Sequence, residues 1–299
     1  MPVVKLAINH WPGYEFLFLA KEKHYFEKEG VRVQLVEFTS LPDVLEAYQS
    51  GDVDGMACTL VETLAAAGQA RRQPQIFLVT DYSNGGDVIL ARNEIRIPDG
   101  LSGLAVACES NHLGGYMLYR ALQKYNRTLA DVKLVNLDQT EMEKAFRKGE
   151  VDAVVAYPPV STSLLRDGQA QVIFSSANIP GEVLDVLVAD KSLIDGKPDA
   201  VRAIIRAWGR AHKFHTRNRE DSHQIMGRHM GLMPEEFAQI LDKLKLIAPD
   251  EQVPYFEPEN GRLLEIARNT HGILRQMGSL SGDLDISVLI APASLHPTP

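Results

Sequence analysis

The sequence predicts an α/β protein of two lobes, each a parallel or mixed sheet, joined by two crossing strands with a ligand cleft between them. Three observations carry this. The segment Glu46-Ala-Tyr-Gln-Ser-Gly51-Asp-Val-Asp54-Gly55 recurs 98 residues later as Lys144-Ala-Phe-Arg-Lys-Gly149-Glu-Val-Asp152-Ala153. The same offset lays Leu6-Ala7-Ile8 on Leu104-Ala105-Val106 and residues 16–20 on 114–118, and 33–38 falls on 132–137 one residue further apart. Strand-like and helix-like segments alternate within each copy, the pattern that builds parallel sheets through right-handed crossovers. A single doubly wound sheet of about ten strands is the alternative; a repeat that carries its own first strand favours two cores.

In chain order, short β-branched or apolar runs predict strands at 3–9, 31–38 and 53–58, with helices at 14–28 and 41–50. An apolar strand at 76–80 follows, then a second at 87–92. The second copy gives strands at 103–108, 132–137 and 151–156, with helices at 112–125 and 139–148, and apolar runs at 172–175 and 182–189. Segments 87–92 and 183–189 are the expected crossing strands. Lobe 1 is therefore expected to comprise 1–85 plus 187–299, and lobe 2 to comprise 86–186. Residues 198–218, 234–246 and 262–277 have apolar residues at helical spacing and are expected to pack back on lobe 1. Residues 283–290 read as a final strand or an extended arm. Residues 291–299, with Pro292, Pro297 and Pro299, are expected to be poorly ordered.

Composition narrows the function classes. The 299 residues carry a net charge of −8, and 45% are hydrophobic, which is ordinary for a globular chain and wrong for a disordered one. An acidic balance argues against nucleic-acid binding. No run approaches the ~20 apolar residues that span a bilayer. Cys58 and Cys108 are too few for a disulfide framework or a structural zinc site. Residues 1–8 already read as a strand, without a basic or long apolar leader. Either the protein is cytoplasmic, or it acts outside the cytoplasm and its signal segment is absent from this chain.

In open parallel sheets, ligands bind beyond the carboxyl ends of the strands. The repeat then names the facing loops: His10 to Tyr14, Thr39 to Leu41 and Cys58 to Leu60 in one copy, and Glu109 to His112, Asp138 to Thr140 and Tyr157 to Pro159 in the other. The linker adds Asp81 to Gly86, and the return strand adds Asp185. The candidate ligand-binding residues are Trp11, Tyr14, Ser40, Thr59, Asp81, Tyr82, Ser83, Ser110, Asn111, His112, Tyr157 and Asp185. Rings give large contact area with few torsions to freeze, and hydroxyls orient a polar ligand. The helix starts at Ser40 and at Ser110-Asn111 would offer free N–H groups. The loops hold carboxylates (Glu15, Asp81, Glu109, Asp185) and no Lys or Arg. That balance disfavours a bare inorganic anion and favours an organic molecule with an amine, a ring nitrogen or several donors.

Each residue also has a plainer reading. Trp11 before Pro12-Gly13 serves equally as a core anchor for a turn, and Asn84-Gly85-Gly86 as a simple turn. Cys58 and Cys108 read as small buried strand residues. Asp185 on an apolar strand needs a partner if buried. Repetition of Asp54 and Asp152 points to backbone N–H bonding rather than a ligand role. His212, His215, His223 and His229 read as a solvated basic face rather than a metal set. No Gly-x-Ser-x-Gly, phosphate-binding loop or His-Glu-x-x-His occurs. No catalytic residue, metal site or cofactor is expected.

The turn Trp11-Pro12-Gly13-Tyr14, the helix ending Ala20-Lys-Glu-Lys-His-Tyr-Phe26-Glu-Lys-Glu-Gly30-Val31, the two Gly-acidic-Val-Asp motifs, the 81–87 stretch and Tyr157-Pro158 together resemble a known family. It is the substrate-binding proteins of ABC importers, in the nitrate/sulfonate/taurine branch that shares its fold with thiamine-pyrimidine-binding proteins. The resemblance covers residues 5–270 and rests on order and spacing. It implies the class II periplasmic-binding-protein fold, with Trp11, Ser40, Thr59, Ser83, Asn111 and Tyr157 at ligand-contact positions. Pyrimidine-synthase relatives carry a cysteine-rich iron motif and a lysine or histidine for pyridoxal phosphate chemistry; this chain has only two cysteines. The expected function is capture of a small polar organic ligand and its delivery to an ABC permease, as an extracytoplasmic monomer. The alternatives are a ligand-sensing module for a membrane receptor and an enzyme of thiamine-pyrimidine metabolism. Pyrimidines, aminosulfonates, amino acids and polyamines all fit the loop chemistry.

Overall fold

The computed structural model describes residues 1–95 and 101–296. The first half opens with β1 (Val3–Asn9), followed by α1 (Glu15–Glu22) and α2 (Tyr25–Lys28) where one helix is expected over 14–28. His24, at φ 55, ends α1 in the left-handed region and redirects α2 onto a later helix. β2 (Arg32–Phe38), α3 (Leu41–Ser50) and β3 (Gly55–Thr59) follow as expected, then α4 (Leu60–Gln69) and β4 (Pro74–Ser83). The sequence reading did not mark α4, although Leu60, Val61 and Leu64 stand at helical spacing in it.

The second half runs β5 (Val88–Arg92), β6 (Ala105–Cys108), α5 (Leu113–Lys124), β7 (Lys133–Asn136), α6 (Gln139–Lys148), β8 (Ala153–Ala156), α7 (Val160–Arg166) and β9 (Ala170–Ser175). The chain then returns through β10 (Leu184–Asp190), α8 (Lys191–Gly196), α9 (Pro198–Arg217), α10 (Arg219–His229), α11 (Pro234–Leu241), β11 (Leu244–Leu246) and α12 (Arg262–Gln276). The helix expected over 234–246 stops at Leu241. Its last residues form β11, which pairs antiparallel with Asp81, Tyr82 and Ser83 of β4 and so covers that strand's open edge. Residues 286–289 form a 3₁₀ turn rather than a strand, and Ile290 bridges Ile76. Within the expected disordered tail, residues 291–296 are packed: Leu295 and His296 are buried, and the His296 ring lies 4.1 Å from that of Phe256. The remainder of that tail, 297–299, lies outside the described residues.

Two sheets result, in strand orders β11-β4-β10-β3-β1-β2 and β7-β6-β8-β5-β9. The duplication is visible in them. The run β2-β1-β3 is parallel, as is β7-β6-β8. In the first sheet β10 lies antiparallel between β3 and β4; in the second β5 lies antiparallel between β8 and β9. β5 reaches the second sheet directly from β4, and β10 reaches the first directly from β9. Each sheet is thus completed by a strand that arrives from the other half. The crossings themselves are the short segments 84–87 and 176–183, just ahead of those strands. The expected return to lobe 1 at residue 187 falls inside β10, which the first sheet takes whole from Leu184.

The C-terminal helices pack on the first half: α9 covers α1 and α2, and α12 lies against α4. The largest apolar cluster runs from the first sheet through Trp11, Leu113 and Tyr157 to one face of the second. The other face of the second sheet has its own cluster around Met142, Phe146 and Leu164.

The repeated motif explains itself physically. Gly51 and Gly149 close α3 and α6 at φ 85 and 78, a region that costs a side-chain residue but not glycine. Three residues on, Asp54 accepts a 2.8 Å bond from the Lys5 N–H, and Asp152 accepts one of the same length from the Ala105 N–H. Each aspartate therefore ties the helix exit to the first strand of its copy. Asp152→Ala is expected to lose about 1 to 3 kcal/mol of stability, as for a charge-assisted bond to a backbone donor. Urea unfolding checks this; an unchanged midpoint would remove the bond from the account.

Candidate functional site

The carboxyl ends of β1 and β3 meet the start of α5, the end of β8 and the crossing segments. There a small cavity of about 10 Å³, room for a single water, is lined by Asn9, Trp11, Tyr14, Leu41, Thr59, Asp87, Leu113, Tyr157 and Asp185. The halves are closed over it. The Trp11 and Tyr157 rings meet edge-on, with centroids 6.4 Å apart at 81°. Glu62 on α4 accepts a 2.9 Å bond from the Leu113 N–H at the start of α5. Arg166 on α7 pairs at 2.6 Å with Glu236 on α11 at the surface. On the crossing side, the Ser83 and Ser176 hydroxyls bond at 2.8 Å, and the Ser83 N–H reaches the Val183 carbonyl at 2.9 Å.

Local sequence sets these positions. Pro12 and Gly13 turn the chain sharply, and the Tyr14 N–H bonds back to the Trp11 carbonyl at 3.0 Å. A Cβ on Gly13 would stand 1.9 Å from the Asp81 carboxylate, so only glycine lets this loop close on β4. Trp11 Nε1 then donates to Asp81 at 3.2 Å. The Tyr14 hydroxyl donates to Asp185 at 2.6 Å, which supplies the partner a buried aspartate requires.

Of the expected residues, Trp11, Tyr14, Thr59, Tyr157 and Asp185 line the cavity, and Asp81 lies directly behind Trp11. The others serve elsewhere. Ser83 is buried against Ser176 and the Asp87 N–H. Tyr82 falls on the other face of β4, because successive strand residues alternate. Ser40 caps α3 by accepting from the Asp43 N–H, and Ser110 is taken up by the Asn136 side chain. Asn111 and His112 face an outer groove beside Pro42, Glu46 and Ser279, while His112 lies 3.6 Å from Glu62. The expectation of free helix N–H groups is also corrected. Ser40 caps α3, Thr59 caps α4 through the Val61 N–H, and Glu62 occupies the start of α5.

The sequence reading missed Asn9, Leu41, Asp87 and Leu113 as lining residues. Asn9 and Asp87 were accessible to it, since each stands at the mouth end of a predicted strand. The His set is not a solvated face. His215 is buried with Nδ1 2.9 Å from Ser222, and His229 sits between Glu15 and Glu37.

The cavity's electrostatics are one-sided. Asp81, Asp87, Asp185, Glu62 and Glu109 are all buried around it, and no Lys or Arg lines it among the described residues. Burial raises the Asp81 and Asp87 carboxyls to about 7 and Glu109 to about 8. Asp81 is partly relieved by bonds from Thr80 and Trp11; Asp87 and Glu109 are raised further by neighbouring carboxylates. Asp185 is raised well above the carboxylate range, by burial first and then by Asp81 and Asp87. Asp87 Oδ2 is buried without a hydrogen-bond partner in the protein, while the Tyr157 hydroxyl faces the Asn9 side chain and the Asp185 carboxyl faces that of Asp81. A carboxyl held protonated here can donate as well as accept, as can the Tyr157 hydroxyl.

Two lobes closing on an aromatic, polar cavity at the crossings define the solute-binding class of fold. The comparisons agree. The chain belongs to the NMT1-like family, whose model matches residues 1–228. It is 25% identical over 208 residues to the taurine-binding periplasmic protein of Escherichia coli K12, a match covering 68% of this chain and 64% of that protein's length. The alkanesulfonate-binding protein SsuA of Xanthomonas axonopodis, solved bound to MOPS, superimposes with a TM-score of 0.80 at 19% identity and 97% coverage of both chains. A more distant likeness, 24% over 229 residues, is to the 4-amino-5-hydroxymethyl-2-methylpyrimidine phosphate synthase of Aspergillus parasiticus, covering 69% of this chain and 65% of the enzyme.

The raised carboxyls fix a pH dependence. A carboxyl whose folded value lies above its unfolded value holds its proton longer in the folded state, so its stabilisation is complete at low pH and is lost as pH rises. The ligand-free protein is therefore expected to melt at steadily lower temperature from about pH 4 to beyond about pH 8. Asp87→Asn should flatten that slope by up to one proton, about 1.4 kcal/mol per pH unit. Calorimetry across pH checks it; a melting temperature that climbs through this window contradicts the assignment.

Proposed function

We propose that this chain is the extracytoplasmic solute-binding component of an ABC importer, and that its ligand is a small organic cation or a nitrogen-rich ring with several N–H donors. The observation that carries the ligand class is the buried group of acceptors and carboxyls around Trp11, Tyr14 and Tyr157, with no basic side chain on the cavity wall among the described residues. Relatives named for sulfonates or taurine supply the transport reading, and the wall chemistry argues against a sulfonate here. An anion would need donors, yet the helix N-termini nearby already carry the protein's own Ser40, Thr59 and Glu62.

A cationic ligand fits each part. Its ammonium or ring N–H would ionise Asp185 or Asp87 and bond to it, and the aromatic faces would add cation–π contact of about 0.5 to 2 kcal/mol. Binding should then release a proton, because a carboxyl held protonated in the empty cavity becomes a carboxylate. Contacts from both halves favour the closed form by differential affinity. The closed form would be the one that docks on the permease. We take the lobes as 1–85 plus 184–299 and 86–183, the return to the first lobe falling at Leu184 rather than at 187, and the protein as a monomer.

The pyrimidine-synthase likeness supports a second reading, as an enzyme. The residues here do not favour it. Cys58 and Cys108 are buried, with thiols raised by burial, Cys108 to about 12, and no Lys lines the cavity among the described residues.

A thermal-shift and calorimetric screen decides the matter. Primary amines, polyamines and aminopyrimidines are expected to raise the melting temperature by mass action, with proton release and weaker binding at acid pH. Trp11→Ala should weaken the best ligand more than about tenfold, and the double variant Asp87→Asn/Asp185→Asn should abolish the proton release. Tight binding of taurine or an alkanesulfonate, with no amine bound, would overturn the ligand class. Turnover of a bound pyrimidine would overturn the transport reading.

A further inference from the structure

On the rim of the first sheet, away from the carboxylates of the cavity, three side chains from distant parts of the sequence converge. His10 follows the end of β1, Glu37 lies on the neighbouring strand β2, and His229 is the last residue of α10. Each offers one ligand atom, and these atoms all lie within 4.8 Å of one another. His229 Nε2 is 3.3 Å from the Glu37 carboxylate, the spacing of adjacent donors on a tetrahedral ion with bonds of about 2.0 to 2.1 Å.

The other face of the His229 ring is already arranged. Its Nδ1 lies 2.9 Å from the carboxylate of Glu15, a residue only 1% exposed at the start of α1. Phe18, one turn further along α1, stacks on the ring with centroids 3.7 Å apart. A histidine whose Nδ1–H is held by a buried carboxylate presents Nε2 as a lone-pair donor in a fixed direction. That carboxylate–histidine pairing is the usual support behind a metal-ligating imidazole. Glu15 here would position the ligand without touching the ion. Glu37 and His229 are both partly exposed, so the three-ligand face is open to an ion and to a completing water.

We propose that His10, Glu37 and His229 form a binding site for a divalent transition ion of the zinc type, supported by Glu15. Mixed imidazole and carboxylate donors suit zinc, cobalt or nickel, and they do not suit calcium or magnesium, which take oxygen. The site is independent of the solute-binding reading. It ties the end of α10 to β1 and β2, immediately before the loop that carries Trp11.

The test uses the untagged full chain after chelator treatment, titrated with Zn²⁺ alone by calorimetry and with Co²⁺ by absorption. One equivalent of Zn²⁺ should bind and raise the melting temperature. Co²⁺ should give the intense visible bands of a four-coordinate ion. His10→Asn should weaken Zn²⁺ at least about tenfold and leave the metal-free melting temperature unchanged, since His10 serves no buried bond. His223→Asn, in the neighbouring His215–His223 ring pair, should change nothing. Absence of binding, binding that survives His10→Asn, or binding lost with His223→Asn would each overturn the proposal.

Discussion

Desolvation of carboxyl groups is the constraint around which the interface between the halves is organised. Asp81, Asp87, Asp185, Glu62 and Glu109 stand close together out of water, and a group of that size cannot all be ionised without counter-charge. The protein answers with what its sequence supplies: the Trp11 indole on Asp81, the Tyr14 phenol on Asp185 and the Leu113 N–H on Glu62. These donors come from a loop, a helix start and the opposite half, so satisfying the acids and closing the halves are one process.

The likeness to the solved sulfonate binders is one of fold. One fold hosts many binding chemistries, because charge at a cleft is set by a few side chains that can change without altering a strand. Glu62 shows how. Its carboxylate occupies the N–H of a helix start in the facing half, the kind of position at which a free anion would otherwise be held. An anionic solute would have to displace it.

Much of the frame was legible in the sequence because its determinants are local. The Gly-acidic-Val-Asp repeat encodes a left-handed helix exit and a backbone bond, both within reach of a few residues, and so its two copies announced the duplication. Helix α4 went unread although Leu60, Val61 and Leu64 give it helical spacing, because it follows β3 with no intervening loop to announce it. β11 was hidden for another reason: its strand character comes from the open edge of β4, 161 residues upstream between Leu244 and Ser83, and not from its own composition. At the cavity, the strand-end reading placed Trp11 and Asp185 on the lining. Tyr82 was misplaced, since the loop reading ignored the alternation of a strand that runs to Ser83. The grouping of His10, Glu37 and His229 joins positions that only tertiary packing brings together, and spacing along the chain cannot show it.

The exchange of strands between the sheets bears on how the chain is made. All five strands of the second sheet lie in one uninterrupted stretch, from Val88 to Ser175, whereas the first sheet has a seat between β3 and β4 that only β10 fills. During synthesis the later-numbered half is thus the first to have every strand at hand. The earlier half must wait on the ribosome with two unpaired strand edges exposed, and those edges are the point at which a nascent chain of this design is most open to wrong pairing.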